Sequence, residues 1–347
     1  MFGIPVAAAL CGIVAAVPAA RAAYANMAKR VEELKNLKFG MFISWSFSTF
    51  SDKDCTPGIE DVSFFNPTGC DTDQWVSVAK EAGMNYILFL TKHADGFCLW
   101  DTKTTDRKVT NSPLGKDVLS EVRKSCDKHG LKLALYFCEG DWTWPGAVDG
   151  GTSWPGGGDA ETVKGSNPPM KRAQLQELLT RYGPVEFIWF DTAAGTGGLD
   201  HKATAAFVKS LQPACFVGFN HGQPAGDLRL GEMGMPTPLD DPSGAGVGAK
   251  QKETWEYKGY WAAEFTMPIL AGRKLGRWFY TNCDDENKAM PAEETFKLYQ
   301  EAVKVGNIFS LAVGPDRAGR LREIDLKTLR EVGTLIRASS GREMPCG

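Results

Sequence analysis

The chain has 347 residues, of which 43% are hydrophobic and 23% charged, so it can bury a large core in one large domain or two small ones. Its 39 basic and 42 acidic residues nearly cancel, which argues against the strongly basic surface of a nucleic-acid-binding protein. The chain is rich in tryptophan, with ten residues. Tryptophan suits the flat apolar faces of sugar rings, although it is equally a good core residue.

The N-terminus carries a pattern of its own. Residues Val6–Val17 form an apolar, alanine-rich stretch that is too short to span a membrane. Ala20 and Ala22 then match the small-x-small pattern of a signal-peptide cleavage site. We therefore expect residues 1–22 to be a signal peptide and the protein to be secreted or periplasmic. The alternative is an N-terminal helix that is retained. No other stretch is apolar enough to predict a membrane span.

In the first half of the chain, short apolar runs alternate with amphipathic segments. The runs are bounded by turn residues and predict buried strands. They are Phe39–Ile43, Tyr86–Thr91, Leu131–Phe137 and Val185–Phe190. The amphipathic segments predict helices at 28–37, 71–82, 117–128 and 170–181. Two long connections lie between these elements, at 44–66 and 140–169, and loops of such length usually carry function.

The second half continues the alternation less regularly. Strands are predicted at Cys215–Phe219, Trp261–Pro268, Arg277–Tyr280 and Ile308–Val313, and helices at 202–211, 292–304 and 325–337. The segment 220–259 has no clear period. About eight strands alternating with helices favour a (β/α)8-type TIM barrel, regular or irregular, as a single domain over residues 23–347. A doubly wound sheet is the alternative, but no glycine-rich dinucleotide fingerprint follows the first strand.

Polar side chains follow two of the predicted strands at the point where each strand ends. The run beginning at Val185 ends in a lone carboxylate, Asp191. Lys92, His93 and Asp95 follow the strand Tyr86–Thr91. In a parallel α/β barrel, reactive groups lie at the C-terminal ends of the strands, so Asp191 occupies the position of a catalytic carboxylate. The alternative interpretation is an aspartate that caps the next turn.

Together these stretches resemble the α-L-fucosidase family of glycoside hydrolases. Lys92–Phe97 is similar to the family's K-H-H-D-G-F, and Trp189-Phe190-Asp191 to its W-F-D-G. Further matching segments between Lys38 and Ile336 are Lys38–Ile43, Pro113–Asp117, Leu178–Pro184 and Gly306–Asp316. The resemblance implies a TIM barrel, a carbohydrate substrate such as a fucosylated glycan or polysaccharide, and no cofactor. Members often carry a β-sandwich after the barrel, and we expect none in this chain.

The resemblance also implies the catalytic residues. Retaining glycosidases use two carboxyl groups about 5–5.5 Å apart, one as nucleophile and one as general acid/base. Asp191 occupies the nucleophile position. Two candidates remain open for the acid/base. Glu232 ends a segment that resembles G-D-x-x-T-P-E, and Glu264 lies in one that resembles W-E-x-x-x-T-I. Glu232 is the preferred candidate. No metal is needed, because carboxylates and pocket hydrogen bonds suffice.

Several further residues are predicted to bind the sugar. His93 matches a histidine that ligates a sugar hydroxyl in the family, and Trp45 follows the first strand where the family has H-W-G. Trp142 could stack on a sugar face, with packing under its long loop as the alternative. His221 or Arg229 could compensate for an arginine that the family carries and this chain lacks.

Three positions depart from the family pattern. Ser44 replaces the histidine of H-W-G, Ala94 replaces the second histidine of K-H-H-D-G-F, and Gly222 replaces the arginine of N-D-R. Each lost hydrogen bond to a buried hydroxyl costs about 0.5–1.5 kcal/mol. The leading hypothesis is an exported retaining exo-glycosidase that releases terminal α-L-fucosyl residues. The alternatives are an enzyme for a different or modified sugar, such as L-galactose or a decorated fucose, and a catalytically silent carbohydrate-binding homologue.

Overall fold

Eight parallel strands close into a barrel, and each pairs with its neighbours in chain order. The computed structural model describes residues 26–52, 56, 61–147, 165–192, 196–246, 256–270, 278–280 and 288–340. The predicted signal peptide at 1–22 lies outside the described residues. Among the helices that are described, none is long and apolar enough to cross a membrane.

The strands confirm the predicted TIM barrel. They are β1 Phe39–Ile43, β2 Tyr86–Lys92, β3 Lys132–Cys138, β4 Phe187–Asp191, β5 Phe216–Phe219, β6 Leu228–Arg229, β7 Ala262–Pro268 and β8 Asn307–Val313. The barrel closes where β1 pairs with β8, Phe39 facing Phe309 and Ile43 facing Val313. Both faces of these strands are covered, so they are almost continuously apolar, as parallel strands usually are.

One strand differs from the prediction. The sixth strand is the two-residue β6, inside a segment that the sequence leaves irregular, because two residues are too few to show a period. The segment predicted as the seventh strand, Arg277–Tyr280, is not a strand over its described residues 278–280, and residue 277 lies outside them. The predicted strand Trp261–Pro268 therefore becomes β7 rather than the sixth strand.

Helices connect the strands around the outside. They are α1 at residues 26–35, α2 Ser48–Ser51, α3 Thr72–Glu81, α4 Val118–His129, α5 Pro168–Arg181, α6 His201–Leu211, α7 Ala292–Val305 and α8 Glu323–Ser340. Polar side chains begin several of them. The Asp71 carboxylate accepts from the Gln74 amide, and that of Asp117 accepts from the Ser120 amide. Such caps satisfy amides that have no partner within the helix, which fixes where the helix starts.

Buried ion pairs hold the loops at the C-terminal end of β2 and β3. The Lys92 ammonium lies 2.7 Å from a carboxylate oxygen of Asp141, and both side chains are fully enclosed. Lys171, from α5, contacts Glu139 in the same way and also donates to the Thr204 hydroxyl at 2.9 Å. Removing one partner of a buried pair leaves an uncompensated charge, so these contacts fix the loops strongly in place.

A close approach inside the barrel depends on a glycine. Gly40 of β1 faces Tyr86 of β2, and the Tyr86 hydroxyl hydrogen-bonds the Ser310 hydroxyl of β8 at 2.8 Å. A Cβ atom at Gly40 would lie 2.4 Å from the Tyr86 ring. The tyrosine ring therefore fills the interior only because β1 carries no side chain there.

We expect Gly40→Ala to destabilise the protein by about 1–3 kcal/mol, because overpacking a filled core forces side chains out of their rotamers. Urea denaturation would measure the free energy of unfolding. The same substitution in a Tyr86→Ala background should cost little, since the ring it meets is gone. An equal cost in both backgrounds would contradict this account of the barrel interior.

Candidate active site

A pocket of about 320 Å³ opens at the C-terminal end of the barrel. Most of its wall is apolar and aromatic, and two carboxylates enter it. It is lined by Phe42, Ser44, Leu90, His93, Tyr136, Trp189, Asp191, Glu232, Thr266, Trp278 and Phe279. A mostly apolar pocket with a few convergent polar groups is the usual form of a small-molecule site. It lies where a TIM barrel carries its chemistry.

Asp191 is the last residue of β4, and its carboxylate is held on both oxygens. The Tyr136 hydroxyl donates to Oδ2 at 2.5 Å, and the Asn220 amide donates to Oδ1 at 2.9 Å. Burial opposes ionisation, but the charge of His221 and these two hydrogen bonds outweigh it, so the pKa of Asp191 lies below its ordinary value. Asp191 is therefore a carboxylate near neutral pH, as a nucleophile requires.

The structure brings Glu232 next to Asp191. Glu232 follows β6, and its backbone is bridged to Thr266 of β7. One carboxylate oxygen of each acid lies within 4.8 Å of the other. The Asn220 Nδ2 atom connects them, since it lies 2.6 Å from Glu232 Oε2 and 2.9 Å from Asp191 Oδ1. This short separation matches the spacing of a retaining pair, not the wider gap that inverting enzymes need for a water.

His221 is the third group at this point. Its backbone is in the left-handed region, with φ of 61°, which is uncommon for a residue with a side chain. Its Nε2 atom lies 3.3 Å from Glu232 Oε2 and 3.7 Å from Asp191 Oδ1. Within the described ranges, these three side chains are the group whose donor atoms are close enough to hold a metal ion. That the reaction needs no metal stays a prediction.

His93 lies in the pocket wall as the sequence predicts. Burial lowers the pKa of His93 to about 4, with the nearby Asp191 opposing and Lys92 adding to the shift, so the ring is neutral. Its Nδ1 atom is buried and has no hydrogen-bond partner among the described residues. The ring is held by Phe279, 5.4 Å away edge to face. An unpaired buried nitrogen facing a pocket is suited to a sugar hydroxyl.

The departures from the family pattern alter this pocket. Ser44 lies in its wall and is fully buried, and its hydroxyl has no partner within the part of the chain described. A short hydroxyl thus stands where the resemblance implies an imidazole. Ala94 is also buried, and its carbonyl accepts from the Trp142 amide at 2.9 Å.

Two residues that were predicted to bind the sugar, Trp45 and Arg229, lie outside the pocket wall. Trp45 is fully buried, with its ring 4.7 Å from Phe65, and its indole N–H donates to the Asp316 carbonyl, so it is a core residue and does not line the pocket. Arg229 is also buried. Its guanidinium donates to the carbonyls of Thr237, Pro238, Leu239 and Asp241, so it shapes the loop after β6 and does not line the pocket. Trp142 is partly exposed and is not among the residues that line the pocket.

Glu264 is the other correction. It lies on β7, is 1% exposed, and is absent from the pocket wall. Side chains of a strand alternate between its faces, so Glu264 and Thr266 both point inward, with Thr266 one layer nearer the pocket. Burial raises the pKa of Glu264 to about 7, opposed by hydrogen bonds from Ser310, Thr266 and Trp189. Of the two candidates for the acid/base, Glu232 therefore lines the pocket and Glu264 lies beneath it.

Two site residues were missed from the sequence. Tyr136 is an interior residue of β3 that looks like any aromatic core position, and nothing local marks its contact with Asp191. Asn220 stands at the first position of the N-D-R match, directly after β5. Its position could have identified it, because functional groups are expected at the C-terminal ends of barrel strands.

Comparison with known proteins agrees with this geometry. A family model described as alpha-L-fucosidase matches residues 59–340. Alpha-L-fucosidase 1 of Arabidopsis thaliana is 29% identical over 312 residues, which are 84% of this chain and 56% of that protein. Plasma alpha-L-fucosidase of Rattus norvegicus is 26% identical over 87% of this chain and 68% of its own length. The chain thus spans little more than half of the Arabidopsis relative.

Solved structures show the same fold. Alpha-L-fucosidase isoenzyme 1 from Paenibacillus thiaminolyticus superposes with a TM-score of 0.69 at 25% identity, over 92% of this chain and 77% of that one. A glycoside hydrolase 29 family member from an unknown rumen bacterium gives a TM-score of 0.69 at 27% identity, over 88% and 56%. The match of the family model over most of the chain, together with the barrel and its paired carboxylates, shows that this protein belongs to the alpha-L-fucosidase family of glycoside hydrolases.

Proposed function

We propose that the protein is a retaining exo-glycosidase that hydrolyses terminal α-L-fucosyl residues by double displacement, with Asp191 as nucleophile and Glu232 as general acid/base. The observation that carries the proposal is the pair of carboxylates within 4.8 Å of one another at the pocket, joined by the Asn220 amide. That spacing suits direct attack by one carboxylate while the other handles the proton.

The first displacement forms a glycosyl-enzyme. Asp191 attacks the anomeric carbon of the bound sugar while Glu232, in its acid form, gives its proton to the glycosidic oxygen. The bond to the leaving group breaks, and a bond to the Asp191 carboxylate forms. In the second displacement Glu232 takes a proton from water, the water attacks the anomeric carbon, and Asp191 leaves as a carboxylate. The sugar is released with its original anomeric configuration.

The surroundings of the two acids fit this exchange of charge. Before the first step the negative charge is on Asp191, and after it the charge is on Glu232. The Asn220 amide and His221 contact both groups, so the same donors stabilise the charge in either place. Donors that need not reorient during the reaction lower its activation free energy. Such preorganisation is the usual source of electrostatic catalysis.

The identity of the sugar is the part of the proposal with a specific alternative. Ser44 leaves a buried hydroxyl without a partner among the described residues, in place of an imidazole. This favours, as a second candidate, an α-L-fucose that is decorated or an L-galactose-type sugar, whose extra group could use the space and the hydroxyl. A catalytically silent binding protein is disfavoured, because such a protein would have no use for the assembled carboxylate pair.

We also propose that the protein is exported. The support is the apolar stretch of residues 1–22 with its small residues at the predicted cleavage site. Fractionation of cells that express the full chain, with N-terminal sequencing of the product, would test this. A product that begins near residue 23 and lies outside the cytoplasm is expected, and a cytoplasmic product with its N-terminus retained would contradict the proposal.

Substitution of the two acids separates their roles. Asp191→Ala should lower kcat on an aryl α-L-fucoside by roughly 10⁴-fold or more, since no intermediate can form. Glu232→Ala should keep the first step with an activated leaving group, which needs no acid, and added azide should restore turnover with formation of fucosyl azide. Turnover by Asp191→Ala would overturn the proposal. No turnover by the wild type on fucosides, but turnover on other aryl glycosides, would favour the second candidate.

Removal of His221 should shift the pH profile. The groups facing Asp191 are His93, Tyr136, Asn220, His221 and Glu232. The charge of His221 lowers the pKa of Asp191. Asp191 must be ionised to attack, so activity falls as the pH drops through its pKa, and loss of His221 raises that pKa. We therefore expect His221→Asn to move the acid limb of kcat/KM to higher pH.

The matched control for this experiment is His129→Asn. His129 lies on α4 beside Asp73, and it is absent from the pocket wall. Its removal should leave the acid limb in place. An unchanged acid limb in His221→Asn would show that His221 does not set the ionisation of Asp191.

A further inference from the structure

Glu264 is a buried carboxylate with no place in the two displacements, yet it is surrounded by hydrogen-bond donors. The Trp189 indole N–H donates to its Oε2 atom at 3.0 Å, and the Thr266 hydroxyl donates to Oε1. The Ser310 hydroxyl and the Gly231 backbone N–H also bond to it. Four donors converge on one side chain in the barrel interior, directly beneath the pocket, where burying an acid is costly.

One of these contacts, with Trp189, leads toward Asp191. Trp189 lines the pocket, and its indole ring stacks on Tyr136 with centroids 5.4 Å apart and planes 19° from parallel. The Tyr136 hydroxyl in turn donates to Asp191 Oδ2 at 2.5 Å. The orientation of the tyrosine thus depends on the indole beside it, and the indole is fixed at its N–H by Glu264.

Two others, with Gly231 and Thr266, lead toward Glu232. Gly231 immediately precedes Glu232, and its carbonyl accepts from the Thr266 amide at 2.9 Å. The Met233 amide donates to the Thr266 carbonyl, also at 2.9 Å. Glu232 is therefore held between two backbone bonds to Thr266, and Glu264 binds both Gly231 and Thr266 from below. The strand β6 has only two residues, so this stretch of backbone has little other sheet pairing.

We propose that Glu264 is a positioning residue that holds both catalytic carboxylates, Asp191 through Trp189 and Tyr136, and Glu232 through Gly231 and Thr266. It touches neither the sugar nor the reacting atoms. The proposal rests on the function given above and adds to it a residue that acts through others. A displacement of reacting groups by about 1 Å can cost on the order of a hundredfold in rate, which is the scale on which such support matters.

The test compares an isosteric variant with an apolar one. Glu264→Gln keeps an oxygen for the Trp189 N–H and can donate to the two hydroxyls, so it should keep most of kcat. Glu264→Met fills a similar volume without any acceptor, and its kcat should fall by roughly ten- to a hundredfold, with a much smaller change in KM. Because the Tyr136 hydrogen bond lowers the pKa of Asp191, the acid limb of kcat/KM should also move to higher pH in Glu264→Met.

A double variant shows whether the effect passes through Tyr136. Tyr136→Phe alone should move the acid limb of kcat/KM to higher pH. Tyr136→Phe combined with Glu264→Met should move it no further, since the hydrogen bond to Asp191 can be lost only once. Independent, additive shifts would overturn this route. Glu264→Gln does not titrate, so an acid limb equal to that of the wild type would show that the ionisation of Glu264 itself is not what the profile reports.

Loss of stability needs its own control. Tyr86→Phe removes the hydroxyl that bonds Ser310 at the lower end of the same polar cluster, away from the pocket wall. It should lower the melting temperature without changing kcat or the acid limb. If Glu264→Met does not fold, Trp189→Phe carries the test, because it removes the indole N–H and keeps a ring beside Tyr136. Trp189→Phe should then lower kcat and move the acid limb of kcat/KM to higher pH, as expected for Glu264→Met.

The outcomes also separate this inference from the proposed function. If Glu264→Gln loses activity as completely as Asp191→Ala, Glu264 has a chemical role and the inference is wrong. If Asp191→Ala is inactive while Glu264→Met matches the wild type in kcat and pH profile, only the inference fails. If Asp191→Ala is active, the proposed mechanism fails, whatever the Glu264 variants do.

Discussion

Closure of eight parallel strands is the constraint on which the site depends. In a closed barrel all strands end at the same rim, and neighbours in the chain are neighbours in space. Phe190 of β4 pairs with Phe219 of β5, and Gly218 of β5 pairs with Leu228 of β6. The residues that follow these three strands therefore meet. In this way β4 supplies Asp191, the end of β5 supplies Asn220 and His221, and the segment after β6 supplies Glu232.

The interior of the barrel is layered, and the layers divide the acids by role. Trp189 and Asp191 point inward from β4 two residues apart, and Glu264 and Thr266 do the same from β7. The upper layer forms the pocket floor and holds the Asp191 carboxylate. The lower layer holds the indole and the buried glutamate, which hydrogen-bond each other at 3.0 Å. Two acidic residues thus have different surroundings, Asp191 at the pocket and Glu264 in the layer beneath it.

The neighbours of Asp191 and Glu264 determine the pKa of each carboxyl group. Asp191 is largely shielded from solvent, yet its pKa lies below its ordinary value because His221, Tyr136 and Asn220 favour its charged form. Burial raises the pKa of Glu264 to about 7, although the hydrogen bonds that it accepts oppose this shift. Local partners, more than depth alone, decide which carboxyl is ionised. Among the residues that the structure describes, the Ser44 hydroxyl, the His93 Nδ1 atom and the Asn220 Oδ1 atom have no hydrogen-bond partner, so they are free to bind a ligand.

The sequence by itself determined the fold class and predicted the candidates for the catalytic pair. Continuous apolar runs are enough to predict buried parallel strands, and seven of the eight strands lie where such runs predict them, because a strand of four to seven residues carries its own pattern. Asp191 was predicted from its place at the end of a strand, whereas Glu232 was predicted from the resemblance of its segment to a family motif. His93 and His221 were placed at the site for the same reason.

Only the tertiary structure decided which other side chains reach the pocket. Trp45 and Arg229 lie near strand ends in sequence. In the fold, packing buries Trp45 in the core, and Arg229 donates to carbonyls of the loop that follows β6. Glu264 lies on the same inward face of β7 as the pocket residue Thr266 but one layer deeper, and its depth depends on the register of β7 with β8. The contacts of Tyr136 and Asn220 with Asp191 join different strands. Contacts of that kind are set by closure of the barrel, and no single stretch of sequence records them.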